Sequence, residues 1–154
     1  MPQQTEPIQE PFHLTASDPG NTAADGTANT WSDIWKFQVP RGTHIVLSRG
    51  NTFACFLEDD SPAEIGDLDS KIRIVIRDPG ESSDRLVFGP ALYKHSKEFQ
   101  DKDLMARLRI PEAVHVPSRY WIVIQGYDGA VIDASDSDYD LYCHRIRVGV
   151  GAHV

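Results

Sequence analysis

The sequence is poor in the residues that staple small domains, ligate clusters or enter membranes. It holds two cysteines in 154 residues, too few for a disulfide framework. Both Cys55 and Cys143 lie in strand-like runs, where a free thiol behaves as a small buried hydrophobe. No export signal is visible, so two reduced thiols are expected rather than a Cys55–Cys143 bridge. The opening Met-Pro-Gln-Gln-Thr-Glu-Pro has neither the basic nor the apolar region of a signal peptide. No apolar run approaches the roughly 20 residues of a membrane-spanning helix. Basic charge is also scarce: 15 Lys and Arg stand against 23 Asp and Glu, a formal net charge of -8. Such a chain repels phosphate backbones and anionic lipid, which argues against nucleic acid or a membrane as partner.

Chemical motifs are equally sparse. Six histidines, at 13, 44, 95, 115, 144 and 153, show no zinc-site spacing, although His44 and His144 could meet across a sheet. There is no nucleophile elbow, no phosphate-cradling glycine loop and no dinucleotide fingerprint. A carboxylate pair for glycoside hydrolysis cannot be nominated from 23 acids without geometry. The chain is therefore expected not to be an enzyme. One acidic stretch stands out, Asp136-Ser137-Asp138-Tyr139-Asp140 with Asp133 just before it. In an extended segment Asp136, Asp138 and Asp140 would point one way, as a hard cation such as Ca²⁺ requires. The stretch lacks the glycine and distal glutamate of an EF-hand, and charge runs are usually solvated, so the expectation is no metal and no cofactor. A second acidic loop holds Glu58, Asp59, Asp60, Asp67 and Asp69.

What the sequence has in quantity is period-two alternation. Residues 34–39 place Trp35, Phe37 and Val39 on one face and Lys36 and Gln38 on the other. Residues 71–77 alternate Ile72, Ile74 and Ile76 with Lys71, Arg73 and Arg77, one dry face and one wet face as in antiparallel sheets. Phe53, Cys55 and Leu57 share a face, as do Leu104, Ala106, Leu108 and Ile110. Residues 120–125 are the densest β-branched and aromatic run, and residues 141–148 offer a second strand to the same sheet. Arg49-Gly50-Asn51 reads as a hairpin turn between residues 44–47 and 52–57. Residues 85–88 form a further strand, and residues 91–103 are the one place where a helical turn fits. The count is about eight strands at sandwich spacing. The fold is expected to be an all-β antiparallel sandwich, jelly-roll or immunoglobulin-like.

Residues 1–30 differ in kind, with four prolines, three glutamines and a tract of Asn, Thr, Ala, Asp and Gly with little to bury. Such composition does not offset the entropy of ordering. The expected organisation is an extended arm over residues 1–30 and a sandwich over residues 31–154. Ile8, Phe12 and Leu14 are the arm's apolar side chains and the candidate partner-binding residues. The excess of Asp over Glu, 16 to 7, and of Arg over Lys, 10 to 5, fits a surface adapted to salt; the abundance of turns explains the aspartates equally well.

In this layout the chain resembles the minor head proteins of tailed viruses: decoration, cement or turret proteins of the capsid exterior. No motif carries the resemblance and no functional residue transfers with it. It implies a structural virion protein, often trimeric, bound to a major capsid protein lattice through the arm and one sandwich face. The alternatives are a carbohydrate- or cell-surface-binding sandwich, for which Trp31, Trp35, Tyr120, Trp121, Tyr127, Tyr139 and Tyr142 would supply stacking surfaces, and an uncharacterised hydrolase.

Overall fold

The computed structural model describes residues 8–59, 71–92 and 106–147. Among them the regular structure is all strand: β1 (Ile8–Thr15), β2 (Asn21–Ala23), β3 (Ser32–Gln38), β4 (Thr43–Leu47), β5 (Thr52–Asp59), β6 (Lys71–Arg77), β7 (Asp84–Leu92), β8 (Ala106–Arg109), β9 (Val114–Val116), β10 (Trp121–Tyr127) and β11 (Ile132–Arg147). One sheet runs β8-β5-β11-β4-β9 with β1 also on β11, and the other runs β2-β3-β10-β6-β7. Every pairing is antiparallel.

β4 and β5 both run antiparallel to β11, β4 beside residues 144–147 and β5 beside residues 132–141. They are thus two halves of one interrupted strand, and the hairpin expected at Arg49-Gly50-Asn51 is a kink. Its cause is local: Gly50 takes φ 86°, and the Asn51 side chain accepts the Ser48 N–H at 2.6 Å. β8 and β9 follow the same line and bridge the kink, with Gly50 N donating to Ile110 O and Ile110 N to Asn51 O. Counted as long strands, the chain order is first-eighth-third-sixth in the β11 sheet and second-seventh-fourth-fifth in the β10 sheet. First pairs with eighth, second with seventh, third with sixth and fourth with fifth. That is one long hairpin wrapped into two sheets, the jelly roll.

Alternation places the core between the sheets as expected: Trp35, Phe37, Val39, Phe53, Cys55, Leu57, Ile72, Ile74 and Ile76 are all buried. Three aromatic pairs bridge the sheets, Trp35 with Tyr139, Phe53 with Phe88 and Phe12 with Phe37, at centroid distances of 4.8, 5.6 and 6.1 Å. Such pairs add to plain area burial. Cys55 and Cys143 are free and buried. Burial pushes the Cys143 thiol up to about 12 and raises Cys55 as well, so both pack as inert hydrophobes.

Three expectations need correction. Residues 141–148 do not join the sheet of residues 120–125, because β10 and β11 lie in opposite sheets. The chain crosses between sheets at 128–131, and the acidic stretch is part of β11 itself. Residues 85–88 extend into the longer β7, which takes in Ala91 and Leu92, the first two residues of the segment where a helical turn was expected; residues 93–105, with the rest of that segment, lie outside the described residues. The boundary at residue 31 is also misplaced. β1 pairs with β11 over eight residues, from Ile8↔Arg147 to Thr15↔Asp140. Residues 16–31 are tied down by backbone bonds: Ala24 N to Ile34 O, Gly26 N to Ile132 O and Asn29 N to Asp128 O. A polar tract can be ordered without apolar side chains when its peptide groups complete a neighbouring sheet.

Candidate functional site

With the core shared by both sheets, what remains for contact is the two outer faces. On the β10 sheet Asp33, Arg73, Arg77, Asp84 and Gln125 form a connected layer. A bulge between Ile124 and Gln125 pairs Gln125 with Asp33; Ile34 and Trp35 are then both buried, and Asp33 turns outward. Arg77 grips Asp33 through both terminal nitrogens, at 2.6 and 3.1 Å, and Asp84 through Nε and Nη2, at 2.7 and 3.1 Å. Gln125 donates to Asp33 at 2.7 Å and accepts from Arg73 at 2.6 Å. Lys36 pairs with Glu81 and lies 4.5 Å from the Trp121 ring. The Arg73 guanidinium lies 4.1 Å over Trp31, and the Lys71 ammonium 5.7 Å over Tyr127. Val75 and Val123 point the same way as this layer, yet both are buried beneath it. Burial pulls the Asp33 carboxyl upward, but the bonds from Arg77 and Gln125 outweigh it and hold its pKa below the usual carboxylate value.

The outer face of the β11 sheet has a different chemistry. Leu141, Cys143, Leu14, Ile45 and Val116 point inward, so His13 on β1, Tyr142 and His144 on β11, His44 on β4 and His115 on β9 point outward. Register places Pro11, His144, Val46 and His115 in one row across four strands. Tyr142, 48% exposed, stacks on His13 at 4.2 Å, and His13 meets Asp140 at 3.2 Å. His44 Nδ1 and His115 Nε2 are 2.7 Å apart. Four of the six histidines thus share one face, with His115 rather than His144 as the partner of His44. The missed signal was register: with β4 in one kinked strand, His44 and His115 fall on neighbouring strands.

Of the candidate partner-binding residues, Leu14 is fully buried in the core and Phe12 packs against it, 6.1 Å from Phe37. Neither is free to enter a neighbour's pocket while β1 is in place, and Ile8 is placed only as the backbone partner of Arg147. The acidic candidates are spread along β11. Asp138 lies opposite Phe56 and caps the Tyr139 N–H, Asp140 lies opposite Ala54 beside His13, and Asp136 sits in a four-residue bulge at 134–137. The bulge is held by Ala134 N to Asp25, Ser135 to Asp133 and Ser137 Oγ to the Asp133 carbonyl. Among the described residues no three His, Cys, Asp or Glu gather around one point. The larger pKa shifts belong to packing and turns. Asp78 is held at about 2 by the Ser83 and Ser82 donors of its turn, and burial raises Tyr139, whose hydroxyl donates to Asn21.

Comparison with solved structures finds the same fold in viral capsid proteins. VP17, a capsid protein of bacteriophage P23-77, superposes with TM-score 0.61 at 7% identity, covering 91% of this chain and 96% of that one. The complex of VP16 and VP17, the two major capsid proteins of that phage, contains a chain matching at TM-score 0.57 and 9% identity, with 91% and 99% covered. What is shared is the fold. No protein-family model matches the sequence, and no curated protein matches it. No helix among the described residues is long and apolar enough to cross a membrane.

Proposed function

We propose that this chain is a structural subunit of a virus capsid, not an enzyme, working through protein–protein contacts in the virion. The observation that carries the reading is the coverage: the superposition takes in 91% of this chain and 96% or more of each capsid protein chain it matches. Fold alone does not fix function, so the surface has to agree, and it does in three ways. The net charge of -8 disfavours nucleic acid and anionic lipid. The aromatic side chains of the β10 sheet's outer face carry cations on their rings instead of forming an open stacking row. The part of the β11 sheet's outer face made by β1, β4, β9 and the end of β11 carries His, Tyr, Pro and Val outward, with the Asp140 carboxylate at its border beside His13, a composition low in charge as at the centre of a protein contact.

In its finer form the proposal is a decoration or minor capsid protein bound to a major capsid lattice and self-associating, as a trimer or otherwise. Attachment is assigned to the β11 sheet's outer face, since residues 8–15 are occupied in the subunit's own sheet. Native mass spectrometry of the untagged chain, alone and with capsid proteins encoded beside it, tests this together with peptide mapping of purified virions. Stoichiometric incorporation and a defined oligomer or hetero-complex are expected. A strict monomer that is absent from particles would overturn the proposal, and saturable glycan binding by that monomer would establish the carbohydrate reading.

A further inference from the structure

His44 and His115 are brought together by the backbone. β4 and β9 pair with Ile45 opposite Val116 and Val46 opposite His115, so both imidazoles stand on the same outer face of adjacent strands. The rings meet edge to face, centroids 4.9 Å apart at 89°, with His44 Nδ1 2.7 Å from His115 Nε2. Two ring nitrogens at that distance share one proton, one donating and the other accepting. We propose that His44 Nδ1 and His115 Nε2 form a two-imidazole chelate for a borderline divalent metal ion of the Zn²⁺, Ni²⁺ or Cu²⁺ class.

Imidazole suits these ions, whereas hard Ca²⁺ and Mg²⁺ select oxygen. On a tetrahedral ion with bonds of about 2.0–2.1 Å, two nitrogens lie about 3.3 Å apart. Partly exposed His44 and exposed His115 need only small ring rotations to open from 2.7 Å. The donor nitrogen must become a ligand, so its proton moves to the other nitrogen of the same ring; the change of tautomer releases no net proton. Among the described residues no third His, Cys, Asp or Glu completes the set. Water fills the remaining positions, and binding is accordingly exchangeable.

The test is calorimetric titration of the untagged full-length chain with ZnCl₂ and NiCl₂, with CaCl₂ and MgCl₂ as controls. One saturable Zn²⁺ or Ni²⁺ per chain is expected, weakened at least tenfold in both His115→Ala and His44→Ala and unchanged in His13→Ala. Circular dichroism and melting confirm that each variant is folded, with His44→Gln replacing any that is not. In nitrogen-detected NMR the ring resonances of His44 and His115 should move on metal addition. The proposal fails if no saturable binding occurs. It fails equally if binding survives both single variants and disappears instead in a His95→Ala/His153→Ala double variant.

Discussion

The two outer faces of this jelly roll handle polar groups in opposite ways. On the β10 sheet nearly every described charge is spent inside the chain: Arg77 holds Asp33 and Asp84, Arg73 holds Gln125, and Lys36 holds Glu81. This layer seals Val75 and Val123 from water, so it acts as a third, polar stratum of the core. On the β11 sheet the outward groups around β1, β4 and β9 are histidines, a half-exposed tyrosine and the Asp140 carboxylate, joined in two small groups, His44 with His115 and His13 with Tyr142 and Asp140, and not in a continuous web. A face whose donors and acceptors already satisfy one another contributes to folding, and a partner would have to break it to bind. A face of loosely paired imidazoles leaves donors, acceptors and ring surfaces accessible from outside the chain.

The sharpest way to break this comparison is to attack the β11 sheet from its own edge. Removing residues 1–15 strips β11 of an eight-residue pairing, takes Leu14 out of the core and leaves Phe37 without Phe12. The expected loss is about 5 kcal/mol or more, comparable with the total stability of a small domain. Urea denaturation checks it. A truncated chain that melts within a few degrees of the intact one would mean that β1 is an appended arm after all, and that residues 8–15 are free to act on a neighbour.

Next in size is Arg77→Ala. The side chain is 12% exposed, and its loss leaves Asp33 with Gln125 alone and removes the guanidinium from Asp84. The expected cost is about 2–4 kcal/mol. Arg77→Lys recovers only part of it, because an ammonium cannot hold two carboxylates in a fork. By contrast His115→Ala should change stability by less than about 0.5 kcal/mol, as for surface substitutions. Equal losses at Arg77 and His115 would end the distinction between a sealed face and an available one.

The same contrast predicts an acid limb. Asp33 has a folded-state pKa below its unfolded value, so its contribution is present above the unfolded pKa, near 3.8. It is lost as pH falls from there through the folded value. The melting temperature should therefore drop as pH falls below about 3.8, and Asp33→Asn should make that limb shallower while lowering the plateau above it. An unchanged acid limb in Asp33→Asn would show that other carboxylates carry it.

How far the sequence reached can be judged residue by residue. Period-two alternation located the inward faces of β3, β5 and β6, because a side-chain period reports which face is dry without reference to neighbours. It could not say which strand lies beside which. The kink at 48–51 and the split of β10 and β11 between sheets depend on long-range pairing, whereas the local pattern points to a hairpin at the first and to neighbouring strands of one sheet at the second. The N-terminal residues failed for another reason: composition measures what side chains can bury, whereas residues 16–31 are held chiefly by their peptide groups. The histidine face was the least legible part. His44 and His115 are 71 positions apart, and no spacing rule connects them; only the β4–β9 register does. Leu14, read as a hook for a partner, turned out to be core because an apolar side chain in a strand meets whichever sheet that strand joins.

The smallest expected effect is the most specific to the histidine face. Burial first, and the neighbouring His115 second, lower the pKa of His44 below its ordinary 6.5. The folded protein therefore resists protonation of His44, whereas the unfolded chain does not. Between the two pKa values the unfolded state binds more protons, so stability rises with pH across that window. The contribution is complete above pH 6.5, declines as pH falls through 6.5 toward the folded value, and is level below it. His44 is only partly buried, so the shift in melting temperature between pH 7.5 and pH 5.5 should be at most a few degrees. The control is His115→Ala, which removes the neighbouring imidazole and opens His44 to solvent. Both causes of the lowered pKa weaken together, and the slope should shrink in that variant while the Asp33 limb stays intact. If the slope persists undiminished, the near-neutral titration belongs to another histidine, and the His44–His115 pair is a static hydrogen bond instead of a responsive feature of this face.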